Sequence, residues 1–253
     1  MNLGAKLAEG KTKIVYAHPD DPQLAVLAHK DGISAGDGAR RNVIAGKGEL
    51  SGRTTANVFA LLNRHGIPTH YLGSPEPATM LVRRCTMVPV EVVMRRMATG
   101  SYLRRHPEMA EGTRFDPPLV EFFLKDDARH DPQISADELV AQGIASPEDV
   151  QVMVAAGQMV FSVLEHAWAE QEVTLVDLKI EFGRPADTSL PPLLVADVID
   201  NDSWRIWPGG NKDLMLDKQV YRNMAEVTES GLEEVRQRYE TVAALTDRWR
   251  STT

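Results

Sequence analysis

Charged residues occupy a segment that otherwise has the pattern of a covered β-hairpin, between Val173 and Trp207. Apolar and charged side chains alternate along residues 173–182, and the charged ones are Asp177, Lys179 and Glu181. Because successive strand residues point to opposite faces, these three charges share one face. A second apolar run, residues 193–199, carries Asp197. Carboxylates for a hard cation, a lysine for phosphate and an acid for sugar hydroxyls would suit a nucleotide with its magnesium.

A solvent-facing sheet edge is the simpler explanation of alternating charges. Asp197 argues against it, because its neighbours Val195, Ala196, Val198 and Ile199 give the segment the continuous apolar character of a covered strand. Buried carboxylates are costly unless a cation or hydrogen-bond donors compensate for them. The hairpin therefore predicts a polar site cut into a core.

Positive charge is concentrated in short islands on an acidic chain of 253 residues with a formal net charge of -8. The acidic balance argues against general nucleic-acid binding, so we expect no nucleic-acid partner. The islands are candidates either for small anionic ligands or for solvated surface pairs. They comprise Lys11 with Lys13, Arg83–Arg84, Arg95–Arg96 and Arg104–His106.

The N-terminal glycines only superficially match a phosphate-binding Walker A loop. Five residues separate Gly4 from Gly10, whereas that motif requires four. The sequence after Gly10 also continues as an alternating strand and not as a helix. Lys11 and Lys13 would share one face of this strand, where they can hold phosphates by charge.

Three further segments carry the residue types of ligand sites. The glycine-rich stretch around Ser34, Gly36 and Asp37 could curl its amides around an anionic or amino-acid ligand, or be a simple flexible turn. Arg95 precedes a glycine–serine turn ending at Ser101, which suits a phosphate monoester. The sequence 200–202 resembles the start of an EF-hand, but glycine at its sixth place and glutamate at its twelfth are missing, so we reject that reading.

Apolar periodicity predicts a β-rich first part and helices later in the chain. The predicted strands are 12–17, 24–29, 80–82 and 88–94, and the predicted helices are 53–64, 146 to about 170, and about 232–249. Strands and helices are partly segregated, which favours an α+β fold. No repeat or long linker marks a domain boundary.

The compartment is predicted from what the chain contains. No apolar stretch approaches the length of a membrane span, and the N-terminus lacks the apolar core of a secretory signal. The single cysteine, Cys85, rules out an intrachain disulfide and is interpreted as structural. We therefore expect a cytoplasmic protein without a membrane partner.

Six segments in this order resemble the motifs of the SAICAR synthetase family: 10–13, 34–40, 95–101, 125–128, 176–183 and 196–207. The resemblance runs from about Leu7 to the C-terminal helix. It implies an α+β, two-lobed fold, with an N-terminal antiparallel β-rich lobe (1–85), a C-terminal α+β lobe (86–253) and ATP between them. It also implies an ATP-dependent ligase of de novo purine biosynthesis. The reaction would join carboxyaminoimidazole ribotide (CAIR) to L-aspartate through an acyl phosphate, giving SAICAR, ADP and phosphate.

The resemblance further implies roles for individual residues. On the nucleotide side it implies Lys11 and Lys13 at the ATP phosphates, Lys179 beside the nucleotide, Glu181 at the ribose, and Asp197 as main magnesium ligand with Glu181 and Asp177 supporting it. For CAIR and aspartate it implies Ser34, Gly36, Asp37, Arg95, Ser101, Asp202, Arg205, Lys218 and Arg222. Among these, Lys11, Lys13, Lys179 and Asp197 would be the catalytic groups.

Two other functions fit the nucleotide half of this pattern. A small-molecule kinase acting on a neutral alcohol would share it but would need neither the second anion site formed by Arg95, Ser101 and Arg205 nor the loop 34–37. A regulatory protein that senses a nucleotide without turnover would not need the aspartate end of the cleft. Monomer and homo-oligomer are both compatible with the sequence.

Overall fold

The computed structural model describes residues 3–36 and 38–251, and this part of the chain contains both sheets and helices. Its strands are β1 (Lys6–Glu9), β2 (Lys13–Ala17), β3 (Leu24–His29), β4 (Gly32–Ala35), β5 (Arg40–Val43), β6 (Tyr71–Gly73), β7 (Thr79–Arg83), β8 (Cys85–Met97), β9 (Arg114–Leu124), β10 (Gln133–Ile134), β11 (Val173–Pro185), β12 (Leu194–Ala196) and β13 (Trp204–Pro208). Its α-helices are α1 (Lys47–Arg64), α2 (Ser101–Arg105), α3 (Ala136–Ala141), α4 (Pro147–Ala169), α5 (Gln219–Asn223) and α6 (Glu229–Asp247). The expected α+β class is confirmed.

The strands form two larger antiparallel sheets and one small hairpin. The first sheet has the order β1-β2-β3-β7-β6, and the second has the order β10-β9-β8-β11-β12 with β13 also paired to β11. The chain passes from the first sheet to the second at Arg84, between β7 and β8. The hairpin β4-β5 belongs to neither sheet and packs against α5 and α6.

Strand β11 lies in the interior of the second sheet, because β8 pairs with one of its edges and β12 and β13 pair with the other. Its side chains Leu178 and Ile180 are buried in the main hydrophobic cluster, so the predicted alternation of apolar and charged faces is confirmed. A solvent-facing edge strand is excluded. The charges on the other face therefore lie within the body of the protein.

The partner strand differs from the prediction, which extended it over 193–199. Strand β12 ends at Ala196, and Asp197 has a φ of 68°, in the left-handed region. The chain therefore leaves the sheet at Asp197 and returns to β11 at Trp204. The amide of Lys179 donates to the Ser203 carbonyl at 2.7 Å, which fastens the end of this excursion. Residues 197–203, here called the crossover loop, bring polar side chains to an interrupted sheet edge.

The long helices cover the sheets and hold the core together. Helix α4 begins after Ser146, whose side chain accepts from the Asp149 amide in a capping box, as the sequence predicts. Helix α1 begins at Lys47, six residues before the predicted start at 53. Its first amides are accepted by Asp31, whose carboxylate bonds to the amides of Gly46 and Gly48. Because the capping residue is distant in sequence, the start of α1 cannot be predicted from the residues of the helix itself.

Among the described residues one helix, α4, is long and apolar enough to cross a membrane by length and composition. The expectation that no stretch reaches this length was therefore wrong for α4. Met153, Val160 and Leu164 of this helix are fully buried in the main cluster, together with residues of the second sheet. This packing accounts for its apolar character.

Candidate active site

A cavity of about 460 Å³ contains residues of both larger sheets. One part of its wall is apolar and includes Val15, Ala25, Leu27, Val82, Met87 and Ala196. The other part carries Lys13, Lys125, Glu181 and Asp197. An apolar slot with a charged end is of the size and character of a site for a flat base carrying a polar tail.

Asp197 is one of the ion-paired acids of this cavity. Lys13 forms a salt bridge with its carboxylate. Burial would raise the pKa of Asp197, but the ammonium groups of Lys13, Lys125 and Lys179 outweigh burial and hold the pKa at about 2. Asp197 is therefore ionised at any ordinary pH.

Glu181 lies beside Asp197 but differs from it electrostatically. Its carboxylate accepts a hydrogen bond from Lys125 Nζ at 2.7 Å. Burial and the neighbouring Asp197 raise the pKa of Glu181 above its usual value, while Lys125 and Lys179 oppose this shift. The two acids are close enough to repel each other, which is the arrangement that a bound cation relieves.

A second cavity, of about 230 Å³, adjoins the same strand and the same crossover loop. Asp177 and Lys179 of β11 line it, as do Asp202 and Arg205. Strand β11 thus contributes Glu181 to the first cavity, and Asp177 and Lys179 to the second. The two cavities share one strand and one loop.

Lys179, predicted to lie beside the nucleotide, lines the second cavity. Its ammonium donates to Glu91 Oε1 at 2.6 Å. Burial alone would lower the pKa of Lys179, but the carboxylates of Glu91 and Glu181 outweigh burial and raise it above its usual value. The lysine therefore stays charged, with its field reaching Asp197 in the first cavity.

A row of alternating charges crosses the sheet beneath the second cavity. The register places Arg95 of β8 and Arg205 of β13 on either side of Asp177. Arg95 Nη1 donates to Asp177 Oδ2 at 2.9 Å, and Arg205 donates to the same oxygen. Glu121 accepts from Arg95 and, at 2.5 Å, from Arg105. We call these five residues the arginine–carboxylate row.

Two residues of this row have predicted roles, which stay predictions. Asp177 was expected to support the magnesium cluster, but two guanidinium groups engage it on the side of the second cavity. Arg95 was expected to hold a phosphate; it lines the second cavity, is 3% exposed and pairs with the carboxylates of Glu121 and Asp177. Three guanidinium groups against two carboxylates leave the row with one net positive charge, and Arg95 and Arg205 of the row line the cavity.

Gly100 lets Arg205 reach its position. Its φ is 57°, and a Cβ added there would lie 2.6 Å from Arg205 Nη2. Glycine is required here for both reasons. Ser101, the next residue, begins α2 and lines the second cavity as predicted for a ligand-facing hydroxyl.

Replacing Gly100 by alanine should therefore displace the Arg205 guanidinium. We expect the Michaelis constant for the ligand of the second cavity to rise about tenfold or more, with that for the ligand of the first cavity unchanged. Gly112→Ala is the matched control, since it also has a positive φ, of 82°, but has no atom within 4 Å of the added Cβ. Steady-state kinetics of both variants separate the contact from backbone strain. Equal effects of the two changes would contradict the role of the contact.

The remaining predicted residues are distributed unevenly. Lys218, at the N-terminal end of α5, donates to Asp202 Oδ2 at 2.7 Å, and Arg222 lines the second cavity. Lys11 is exposed in the turn between β1 and β2 and, unlike Lys13, does not line either cavity. Ser34 and Gly36 lie on the β4-β5 hairpin and also line neither cavity. Asp37 lies outside the described residues.

The β4-β5 hairpin is nevertheless fastened to the helix beside the second cavity. Arg40 Nη1 donates to the carbonyls of Tyr221 and Met224, at 3.2 Å and 2.7 Å. The Tyr221 hydroxyl donates to Asn42 Oδ1 at 2.7 Å. Hairpin and α5 therefore form one packed unit.

Several charged residues of the site were not among the predicted site residues. They are Lys47, Glu91, Arg105, Glu121 and Lys125. Lys125 had a signal in the sequence, since it belongs to one of the six motif segments, and Arg105 belongs to one of the basic islands. The others are recognised through contacts with strands distant in sequence.

No group of three or more His, Cys, Asp or Glu side chains suited to a metal ion occurs within residues 3–36 and 38–251. Glu181 and Asp197 are still a fitting pair of ligands for magnesium. This ion keeps several waters and is usually held by one or two carboxylates together with substrate phosphates. The donor set of the first cavity thus fits magnesium bound with a phosphate ligand.

Comparison with known proteins identifies the family. The sequence profile of the family described as SAICAR synthetase matches residues 6–239. A phosphoribosylaminoimidazole-succinocarboxamide synthase of Roseiflexus castenholzii is 68% identical over 249 residues, which are 98% of this chain and 99% of that protein. The chain belongs to the SAICAR synthetase family. The resemblance expected from the six motif segments is confirmed.

Solved structures of the SAICAR synthetase family have the same fold. The phosphoribosylaminoimidazole-succinocarboxamide synthase of Ehrlichia chaffeensis superposes with a TM-score of 0.86 at 28% identity, covering 96% of this chain and 98% of that one. A structure described as a type-2 SAICAR synthetase in complex with ADP has a TM-score of 0.81 at 31% identity, covering 92% and 97%. The chain therefore shares the overall fold of these two family members.

Proposed function

We propose that this SAICAR synthetase joins CAIR to L-aspartate with ATP, forming SAICAR, ADP and phosphate. The observation that carries the proposal is the pair of adjoining cavities with different chemistry on one strand and one loop. A ligase that uses ATP to activate a carboxylate needs two sites close enough for phosphate to pass between them. The name of the Roseiflexus relative supports the choice of product.

The first cavity is the ATP site. Its apolar slot suits the adenine ring, and Glu181 suits the ribose hydroxyls. Lys13 and Lys125 lie where a phosphate chain would need positive charge. The family member in complex with ADP supports a nucleotide in this role.

Glu181 and Asp197 would hold magnesium in this cavity. The ion would supply charge neutralisation for the phosphates. Asp197 is the stronger candidate ligand, because its low pKa makes it a permanent anion. Lys13 would then turn from Asp197 toward the phosphates, since one cation replaces another beside that carboxylate.

The second cavity is the CAIR site. Arg205 lines it and belongs to the arginine–carboxylate row, whose one net positive charge suits the ribotide phosphate. Ser101 adds a hydroxyl donor, and Asp202 is an acceptor suited to an amino group of the imidazole. Lys218, Arg222 and the β4-β5 hairpin then mark the aspartate end of the site.

The chemistry explains why the site is built from charges. A carboxylate is a poor electrophile, so the CAIR carboxylate attacks the γ-phosphorus and ADP leaves. The aspartate amine then displaces phosphate from the acyl phosphate, losing a proton as the amide forms. Both steps depend chiefly on positioning and charge neutralisation, so no protein nucleophile is required.

Release of ADP measured with ATP, magnesium, CAIR and L-aspartate, and then with each omitted, tests the proposal. We expect turnover only in the complete mixture, with SAICAR as the product. ADP release without aspartate at the full rate would instead support a small-molecule kinase. Binding of ATP with no turnover in any mixture would support a nucleotide sensor.

A division into two lobes accompanies the proposal. The change of sheet at Arg84 supports a β-rich lobe of residues 1–85 and an α+β lobe of 86–253, with the nucleotide at their junction.

The cellular compartment is proposed from the cysteine content. The single cysteine, Cys85, supports a reducing compartment, the cytoplasm. Its thiol has a pKa raised by burial to about 11, which supports a structural role.

A further inference from the structure

Asp202, the acceptor of the second cavity, is held from behind by side chains of two helices. Lys218, just before α5, donates to its Oδ2 at 2.7 Å. The hydroxyl of Tyr239, in the middle of α6, donates to its Oδ1. Both oxygens of one carboxylate are thus fixed by groups that lie away from the open side of the cavity. The orientation of any substrate bound by Asp202 would therefore depend on these two hydrogen bonds.

A third buried side chain, Lys47 of α1, completes the support. It is 1% exposed, and its ammonium lies 4.9 Å from the centre of the Tyr239 ring. Its Nζ donates to Ser51 Oγ at 3.4 Å, and within the described parts of the chain it forms no salt bridge within 4.0 Å. A buried ammonium without a contacting carboxylate is costly, so the ring and the field of nearby acids must stabilise it.

The nearby acids are Asp200 and Asp202 of the crossover loop. Asp200 is 3% exposed, and its Oδ1 accepts the amide of Asp202 at 2.9 Å. Against the effect of burial, the ammonium groups of Lys47 and Lys218 lower the pKa of Asp202. Burial and the neighbouring Asp202 raise the pKa of Asp200, and Lys47 opposes this shift. Arg222 faces the same cluster from α5.

The fold fixes Lys47 in this place. The carboxylate of Asp31 accepts the amides of Gly46 and Gly48 and so anchors the first turn of α1. A Cβ on Gly48 would lie 2.9 Å from the His29 carbonyl oxygen, so only glycine allows this close approach to β3. The direction of Lys47 into the interior follows from this anchored turn.

The protonation states agree with the geometry. Burial would raise the pKa of Asp202, but Lys47 and Lys218 outweigh burial and hold it well below its usual range. Burial and the two acids raise the pKa of Tyr239 well above its usual value. Asp202 is thus an anion and Tyr239 a neutral donor throughout the working pH range.

We infer that Lys47 and Tyr239 are positioning residues, which act on the reaction through Asp202 without touching substrate. The inference rests on the proposed function in one respect, that Asp202 contacts CAIR. Buried side chains at α1, α5 and α6 would together hold the carboxylate of Asp202 in the orientation that binds CAIR. Removing either residue should change how Asp202 binds CAIR and leave the ATP site unaffected.

A double-mutant cycle on CAIR kinetics tests the inference. Lys47→Met keeps the volume of the side chain but removes its charge, and Tyr239→Phe removes only the hydroxyl. We expect each to lower kcat/KM for CAIR about tenfold or more, with the Michaelis constant for ATP unchanged. In an Asp202→Asn background both changes should cost little more. Lys212→Met, at an exposed residue, and Tyr71→Phe, at a half-buried tyrosine whose hydroxyl bonds to Ser74, are the controls outside the site.

The pH dependence distinguishes positioning from a purely structural role. Loss of the Lys47 charge makes it harder to keep Asp200 and Asp202 both ionised, so the pair takes up a proton at higher pH. The acidic limb of kcat/KM for CAIR should therefore move upward in Lys47→Met by about one pH unit. Tyr239→Phe should move it less. A purely structural defect would lower activity equally at every pH.

A measurement without substrate keeps this inference separable from the proposed function. In protein labelled with ¹³C at the aspartate carboxyls, Asp202→Asn and Asp200→Asn identify the two signals. Burial and the neighbouring Asp202 already raise the pKa of Asp200 in the unchanged protein. In Lys47→Met we expect the titration of the Asp200–Asp202 pair to move to higher pH than in the unchanged protein. Unchanged titration of folded Lys47→Met, or additive losses in the cycle, would overturn the inference. Absence of turnover in the unchanged protein would overturn only the proposed function.

Discussion

Asp197→Asn should abolish the magnesium-dependent reaction while the protein remains folded. Asparagine has nearly the same shape but cannot offer an anionic oxygen to a hard cation. Loss of an electrostatic partner at a phosphoryl-transfer site typically costs about a hundred- to a thousandfold in rate. We expect kcat to fall by at least about a hundredfold, measured as ADP release in the complete mixture.

The fold should tolerate this change. Lys13, which loses its salt-bridge partner, has a side chain that is 20% exposed and can turn toward water. The pKa of Asp197 is lowered in the fold to about 2, so its contribution to stability is present above the unfolded pKa. This contribution is lost as the pH falls toward the pKa of about 2 that Asp197 has in the fold. Between pH 5 and pH 8 its ion pair therefore adds no pH dependence to stability.

Nucleotide binding separates the metal role from a general loss of the site. Calorimetry should show that ADP binds Asp197→Asn equally well with and without magnesium, whereas magnesium should strengthen binding to the unchanged protein. Asp187→Asn, in the exposed connector between β11 and β12, is the matched control and should behave as the unchanged protein. Near-normal turnover of Asp197→Asn would exclude Asp197 as the metal ligand.

Arg95→Ala should destabilise the fold more than any surface charge change. Arg95 is nearly fully buried and donates to two carboxylates, Glu121 and Asp177, on neighbouring strands. Removing one partner from a buried ion pair typically costs about 3–5 kcal/mol. For a chain of this size that corresponds to a fall in Tm of about 10 °C, measured by calorimetry or circular dichroism.

The phosphate role predicted for Arg95 leads to a different emphasis, chiefly a raised Michaelis constant for CAIR. Arg236→Ala is the matched control, because Arg236 pairs with Glu233 on the exposed face of α6. Such pairs contribute about 0–1 kcal/mol, so its Tm should change little. Glu121→Gln in the Arg95→Ala background should recover part of the loss, since it removes a carboxylate that has lost a partner. An unchanged Tm with only a higher Michaelis constant would restore the phosphate role of Arg95.

Elements with local signals were predictable. Helix α4 has its capping serine, its proline and its apolar periodicity within one stretch, and the structure begins and ends it where the sequence predicts. The face alternation of β11 was likewise readable, because the two-residue period of a strand is a local property. The start of α1 was missed because Asp31, which caps it, lies 15 residues before Gly46.

The site residues likewise differ in whether the neighbouring sequence gives a signal for them. Lys125 stands in a motif segment, but Lys47 and Glu121 have no signal in their own neighbourhoods. Lys47 was missed because burial of a lysine depends on what packs around it, here α6 and the crossover loop. The turn at Asp197 was missed because an apolar run gives no sign that the strand will break before its end.

The sequence by itself determined the family, the α+β class and the set of charged residues from which the site is made. The order of the motifs and the periodicity of apolar residues in strands and helices are properties of the sequence, so they can be recognised without a structure. Only the tertiary structure decided which charges pair. Asp177 lies with Arg95 and Arg205, and not with Asp197, because the register of β8, β11 and β13 sets the three side chains in one row. Partner choice among buried charges depends on distance between strands, and that distance exists only after the sheet has formed.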